Sequence, residues 1–414
     1  MSEHHRGTPD VVVVGAGLAG LACALDLCRV GRRVALLEAS DGVGGRMRTD
    51  RRDGFLLDRG FQVFNTSYPQ VKRRLDLGSL RLRPFTAGVV AHTSRGPVRL
   101  VDPTRESGAS EALTPGRLPG ARDLAALAGL TAWDALLPAS AVRRRRDGST
   151  SRALKRAGVS DAMVDEILRP FLSGVFLEDR LETSARFFHL VWRSMVRGSL
   201  CLPARGVGAV PAQLADGLPD GVLRLGTPVS SLTDDGVLTE DGSEIPARAV
   251  VVATEPAAAA LLLPGLPVPA TRTVTTYHHA ADASPADEPV LRVDSTGTVL
   301  NTCVLSRVAP TYAPEGTALI STSVLGPDEP GRERTVLRRL AELYGTDTGG
   351  WRRVDARTVE GALPAMAPPW PLSRTTRLWP GRYVCGDHRA TGSVQGALAS
   401  GTRAAREVLA DTTA

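Results

Sequence analysis

The chain has 414 residues, 43% hydrophobic and 23% charged, with a formal net charge of +6. That profile describes a globular protein long enough for two domains, and it excludes a disordered or low-complexity chain. Of the 50 basic residues 48 are arginines, Lys72 and Lys155 being the exceptions. Such a bias reflects gene base composition more than a nucleic-acid surface, and the densest run, 143–146, stands beside Asp147-Gly148-Ser149 as a solvated loop. Nucleic acid is therefore not an expected partner. Cys23, Cys28, Cys201, Cys303 and Cys385 show neither CxxC nor metal-ligand spacing, so no metal is expected and a reducing cytoplasm is the simplest setting.

Residues 1–9 are polar and read as a frayed terminus. Val11–Val14 is an unbroken β-branched run, the mark of a strand buried on both faces. It runs into Gly15-Ala16-Gly17-Leu18-Ala19-Gly20, then a helical pattern to about Val30, then a second apolar strand, Val34–Leu37, ending in Glu38. This is a βαβ unit with a glycine-rich first turn. Gly15 serves the tight turn, Gly17 lets backbone approach a pyrophosphate, and Gly20 lets helix and strand pack closely. Leu18, Ala19 and Gly20 open a helix whose unpaired N–H groups face phosphate, and Glu38 stands where a carboxylate accepts ribose hydroxyls. A secretory leader is a poorer reading of 11–27, which contains three glycines and Asp26.

Gly42-Val43-Gly44-Gly45-Arg46 offers a second backbone approach, with Arg46 adding charge. In 54–64 an extended pattern is interrupted at Gly60, as where a ligand or another chain comes close. Strand-like sequence covers 80–101, and 104–119 is a loop. Helices are expected at 121–137, 151–157, 160–172 (disturbed by Pro170) and 184–195. The last carries Phe187, Phe188, Leu190, Val191 and Trp192, which fit either core packing or the wall of an apolar substrate cavity.

Pro203-Ala204-Arg205-Gly206 breaks the chain. Strands follow at 222–225, 229–233, 236–239 and 249–253, and Thr254-Glu255-Pro256 ends that block. After a linker at 264–269 comes mixed sequence to about 360, with a helix at 332–344 and an exit through Ala362-Leu363-Pro364. The C-terminal block is a short strand, Tyr383-Val384-Cys385, then Gly386-Asp387, then Gly392-Ser393-Val394-Gln395-Gly396 entering a helix. It supplies a second anion-facing helix N-terminus. No run of 18 uninterrupted apolar residues appears, so no spanning segment is expected, which leaves contact with a membrane surface open.

GAGLAGL…LLE, GGRMRT, GFLLDRGFQVF, TPVSSL…VVVAT and YVCGDHRATGSVQGALASG together resemble the flavin-containing amine oxidase, protoporphyrinogen oxidase and phytoene desaturase superfamily. The resemblance covers residues 10 to about 409 in family order. It implies an α/β protein with a Rossmann-like FAD-binding domain and a discontinuous mixed α+β substrate domain. The first would use 8–85, 205–265 and 365–414; the second 86–204 and 266–364. By resemblance Gly15, Gly17, Gly20, Gly45 and Arg46 face the diphosphate and Glu38 the adenosine ribose. Gly60, Phe61 and Gln62 run beside the flavin. Val229 holds adenine, Gly386 and Asp387 the ribityl-diphosphate region, and Ser393 and Val394 the pyrimidine edge.

Three departures bear on chemistry. No lysine follows Lys155, where many family amine oxidases carry one in the later substrate-domain sheet. Ser393 stands where those enzymes commonly place an aromatic residue. The segment 360–382 lacks the cysteine of covalent members, so FAD is expected to be non-covalent. The expected activity is dehydrogenation or desaturation of an apolar small molecule, by hydride transfer to flavin N5. Amine oxidation is the alternative within the family. Outside enzymes, GDP-dissociation inhibitors resemble this fold and bind prenylated partners without flavin; Arg46 and the C-terminal block argue against that. Among the histidines His388 is the catalytic candidate, because it follows Asp387. The substrate, the electron acceptor and the oligomeric state are not legible.

Overall fold

The computed structural model describes residues 8–106 and 120–412. Most of the expected 104–119 loop lies outside them, as do residues 1–7. The architecture is mixed α/β, organised around two large sheets.

The first sheet has six strands, in the order Leu223–Arg224, Val34–Leu37, Val11–Val14, Ala249–Val252, Arg382–Val384, Arg377–Trp379. The first five are mutually parallel, and the last is antiparallel. All four residues of Val11–Val14 are buried, as continuous β-branched runs require when both faces are covered. Leu18–Arg29 and the C-terminal helix Val394–Thr412 lie on one face, where Gly401 sets their approach: a Cβ there would stand 2.1 Å from the Ala19 carbonyl oxygen. On the opposite face packs a small sheet of Val229–Thr233, Gly236–Thr239 and Glu244–Pro246.

The second sheet has seven strands, ordered Arg352–Pro364, Thr271–Ala281, Ala318–Leu325, Asn301–Val304, Leu291–Asp294, Gly88–Thr93, Gly96–Val101. Only Leu291–Asp294 with Gly88–Thr93 is a parallel pair. Its two faces differ, as strand alternation demands. Tyr277 packs with Val336 and Leu340 of the helix Arg332–Tyr344. The neighbouring Thr276 faces the other way and accepts a hydrogen bond from the Phe61 N–H at 3.3 Å.

One sequence expectation is corrected and three gain detail. Pro170 disturbs its helix, as expected, without ending it. It lies just after a π-helical turn, Val164–Leu168, and helix continues through Arg169–Phe176; the wider turn accommodates a residue that donates no N–H. Pro256 opens a helix, Pro256–Leu262, where its missing N–H costs nothing. Ala362-Leu363-Pro364 does not leave the sheet but belongs to its 13-residue edge strand. Finally, Phe187, Phe188 and Val191 are core, buried in one cluster with Leu168, Leu172 and Phe176. Trp192 packs against it and donates to Thr131 Oγ1 at 3.1 Å.

Asp58 is a buried carboxylate that accepts hydrogen bonds from Thr49 Oγ1, the Val207 N–H and the Tyr312 hydroxyl. Burial outweighs these bonds and pushes its pKa up to about 6. The folded protein therefore takes up a proton that the unfolded chain does not, so this group contributes stability as pH falls from about 6 to about 4. Wild type should gain on Asp58→Asn across that window by roughly 2–3 kcal/mol, read from paired denaturation curves; a constant gap would show no shift. Separately, a Cβ at Gly20 would stand 1.9 Å from the Gly15 carbonyl oxygen. Gly20→Val should thus lower the denaturation midpoint, by an equivalent of ~1–3 kcal/mol or more.

Candidate functional site

Parallel strands bring their C-terminal ends to one edge of the six-stranded sheet, where open α/β sheets bind ligands. Glu38 follows one such strand and Asp387 another, with two strands between them. Three inter-strand spacings separate them, about 14 Å. The two carboxylates thus stand on either side of a groove, the crevice that such a sheet leaves at this edge.

The first turn lies between them. Gly15 has φ +100, and its N–H donates to the Leu37 carbonyl at 2.7 Å. The Ala16 N–H donates to Glu38 Oε2 at 2.7 Å, while the Ser40 hydroxyl and N–H hold Oε1 at 2.7 and 3.0 Å. Glu38 is fixed in this way and keeps lone pairs for a further donor. Gly17 caps the helix Leu18–Arg29 with no side-chain hydrogen bond. The first intrahelical bond is from the Leu21 N–H to the Gly17 carbonyl, so the N–H groups of Leu18, Ala19 and Gly20 have no intrahelical acceptor. Nothing stands within 4 Å of the Cβ that Gly17 lacks. The protein itself therefore makes no demand for glycine there, whereas a ligand approaching the backbone would.

The Gly42–Arg46 loop closes this cradle. The Gly44 N–H donates to the Ala16 carbonyl at 2.9 Å, and Gly45 adopts φ +58 against Gly17. Arg46 then crosses to the far end. It pairs with Asp387 Oδ1 at 2.7 Å and donates to the Ala362 carbonyl at 3.0 Å. Asp387 holds the guanidinium protonated more firmly than usual. Gln62 donates to the Arg46 carbonyl at 2.6 Å, and Gly60, at φ +86, faces Val359. Ser393 caps the C-terminal helix by accepting from the Gly396 N–H at 3.1 Å. The Val394 N–H precedes any intrahelical acceptor and faces out. Val229 starts the small sheet and packs beside Val12, Val14 and Leu37.

His388 is buried, with no hydrogen-bond partner for either ring nitrogen among the described residues. Burial chiefly, then nearby Arg389, Arg46 and Arg374 against the opposing pull of Asp387, pushes its pKa down to about 4. It is a neutral imidazole beside the groove. Gly386, with φ +153, is required by that ring: a Cβ would stand 2.5 Å from Nδ1.

The structure thus gathers Gly15, Gly17, Leu18, Ala19, Gly20, Glu38 and Gly45 at one end, from which Arg46 reaches to the other. Gln62, Gly386, Asp387 and His388 stand near that far end, where Gly60 and Phe61 meet the second sheet. Sequence reading missed the grip of the Gly361 and Ala362 carbonyls on Arg46. It also missed Thr276, which accepts from Phe61 and stands 3.3 Å from Ser323 Oγ. Gly361, at φ +65 in a bulged strand, was the available signal.

Against this geometry, the flavin containing amine oxidoreductase family profile matches residues 18–409. The chain belongs to that family. It is 29% identical over 314 residues to a coproporphyrinogen III oxidase of Propionibacterium freudenreichii subsp. freudenreichii, a match covering 63% of this chain and 60% of the relative. It is 30% identical over 285 residues to a phytoene dehydrogenase of Streptomyces griseus, covering 60% and 54% respectively. The chain therefore spans little more than half the length of these relatives. Its fold superposes on cyclohexylamine oxidase from Brevibacterium oxydans IH-35A with a TM-score of 0.72 at 16% identity, covering 99% of this chain and 100% of that one. Family membership makes a flavin the expected occupant of the groove, and the glycine cradle, free helix N–H groups and orphaned His388 nitrogens fit one.

Removing the Arg46 side chain leaves Asp387 buried and unpaired. Arg46→Met should lower the stability of the flavin-free protein by about 3–5 kcal/mol, and Asp387→Asn in the same chain should restore part of it. Chemical denaturation of the four combinations reads this directly. Glu38→Gln sets an amide NH2 against the N–H of Ala16 or of Ser40, so it should weaken flavin binding about 10- to 150-fold and also lower flavin-free stability by about 1–3 kcal/mol.

Proposed function

We propose that the protein is an FAD-dependent oxidoreductase that dehydrogenates or desaturates an apolar small molecule. The carrying observation is the glycine turn with its free helix N-terminus and fixed Glu38, set on the same sheet edge as the Arg46–Asp387 pair three strands away. In this reading 8–85, 205–265 and 365–414 form a Rossmann-like FAD domain, and the remaining segments form the substrate domain. Glu38 accepts the ribose hydroxyls. The helix N-terminus at Leu18–Gly20 and the Gly45 backbone meet the diphosphate. Arg46 neutralises charge while orienting Asp387, which bonds the ribityl region. Val394 offers its N–H to the pyrimidine edge, and Val229 its backbone to adenine. Phe61 and Gln62 flank the ring. His388 is neutral and offers its ring nitrogens as hydrogen-bond partners beside the ribityl end.

When bound, the flavin supplies hydride transfer, and the protein supplies binding, orientation and exclusion of water. The segment 360–382 has no cysteine to tether it, which supports non-covalent attachment. Lack of any lysine after Lys155 and the small Ser393 favour an uncharged substrate over a protonated amine, whose desolvation needs an aromatic or acidic partner. The relative named for phytoene agrees with that preference. The likeness to cyclohexylamine oxidase favours amine oxidation as the second reading. The family match supports catalysis over a flavin-free binding role.

Heat or acid precipitation should leave all the yellow FAD in the supernatant; flavin retained in the pellet would contradict the non-covalent reading. Anaerobic stopped-flow mixing with polyamines, aromatic monoamines and amino acids should leave the oxidised flavin spectrum unchanged. Rapid bleaching by any of them would transfer the assignment to amine oxidation.

A further inference from the structure

We propose that the outward face of the helix Ala121–Leu136, with the arginines at 143–146, docks the protein on an anionic lipid bilayer. The helix departs from an ordinary surface helix, which turns its charges to water. Its two carboxylates point into the protein. Asp123 accepts from the Ser160 N–H at 2.7 Å and the Ser160 hydroxyl at 2.8 Å, and Asp134 pairs with His189 Nδ1 at 2.9 Å. Arg193 takes up the C-terminal carbonyls of Asp134, Ala135 and Leu137. The helix is anchored from beneath by polar contacts together with Leu127 and Leu130 in the core.

Facing water, in contrast, are Ala125, Ala128, Gly129, Ala132, Trp133 and Leu136. They recur at spacings of three and four, one continuous stripe along the helix. Trp133 is 46% exposed and Leu136 82%. The only charged residue among the exposed positions of this helix is Arg122, near its start.

Charge complementarity identifies the occupant. At the Trp133 end the chain turns through Pro138 into Ala139–Arg144, and Arg143, Arg144, Arg145 and Arg146 are all exposed. Among the described residues none of them forms an ion pair. Arg145 lies over the Trp133 ring at 4.8 Å from its centroid. An indole beside cationic side chains, at the end of a flat stripe of small residues, suits a headgroup boundary: the ring and Leu136 enter, and the arginines meet lipid phosphates. A second copy of this face would bring four more arginines and no outward carboxylate to pair them. No described helix is long and apolar enough to cross a membrane, so the contact is peripheral.

Flotation of the purified full-length holoprotein with phosphatidylcholine vesicles, with and without phosphatidylglycerol, tests this. Wild type should float only with the phosphatidylglycerol vesicles and be released as salt rises. Replacing all four arginines by glutamine should weaken binding about a hundredfold or more, and Trp133→Gln with Leu136→Gln should remove it. These positions are exposed, and unchanged thermal melting and flavin content would confirm that the variants fold. Failure to float with either vesicle, or equal flotation of wild type and variants, would overturn the proposal. A wild-type dimer that Trp133→Gln with Leu136→Gln makes monomeric would overturn it too, because the face would then join copies of this chain. Vesicle binding needs no turnover, so the outcome is independent of which substrate the flavin serves.

Discussion

The carbonyl oxygen of Gly15 occupies the space that a side chain at Gly20 would need, so the first strand and first helix meet backbone to backbone. Close packing at that corner carries through the rest of the six-stranded sheet's side of the molecule. Gly401 lets the C-terminal helix rest on Ala19, and the Gly44 N–H reaches the Ala16 carbonyl. These contacts leave no room for even a methyl group at Gly20 or Gly401. They also fix the positions of two helix N-termini, the Gly42–Arg46 loop and the Gly386–His388 turn around one groove. A side chain at either position would displace several of the groove's walls together.

Arg46 extends this framework to the second sheet. Its guanidinium meets Asp387 on one side and the bulged edge strand on the other. The ion pair joins residues 341 positions apart in sequence, so it forms only when the first loop and the C-terminal block are both in place, and the bond to Ala362 ties in the seven-stranded sheet as well. Beyond it, the sheet presents Thr276 and Ser323 toward the Phe61 segment, a polar surface. Any apolar substrate surface must be found elsewhere, since the Phe187–Val191 stripe is spent on the core.

The sequence was most legible where backbone geometry dictates residue type. Val11–Val14, the glycine turn, Glu38 and the Gly386-Asp387 turn each admit few alternatives, and all lie where their residue types implied. It was least legible where tertiary contacts choose between local options. Phe187 and Phe188 look the same in sequence whether they line a cavity or a core. Pro170 and Pro256 are ambiguous for a related reason, because proline tolerates both a helix start and a position following a π-helical turn. The pairing of Arg46 with Asp387 and the bond from Phe61 to Thr276 join segments hundreds of residues apart. Neither has a local signal.

The central claim is that Glu38 and Asp387 mark the two ends of a dinucleotide site rather than a site for a flavin mononucleotide. Titrating the flavin-free protein with FAD and with FMN, followed calorimetrically, addresses it most directly. The account predicts that FAD binds at least about a hundredfold more tightly, because only FAD offers a ribose to Glu38 as well as a ribityl chain to Asp387. Equal affinities, or a preference for FMN, would contradict it.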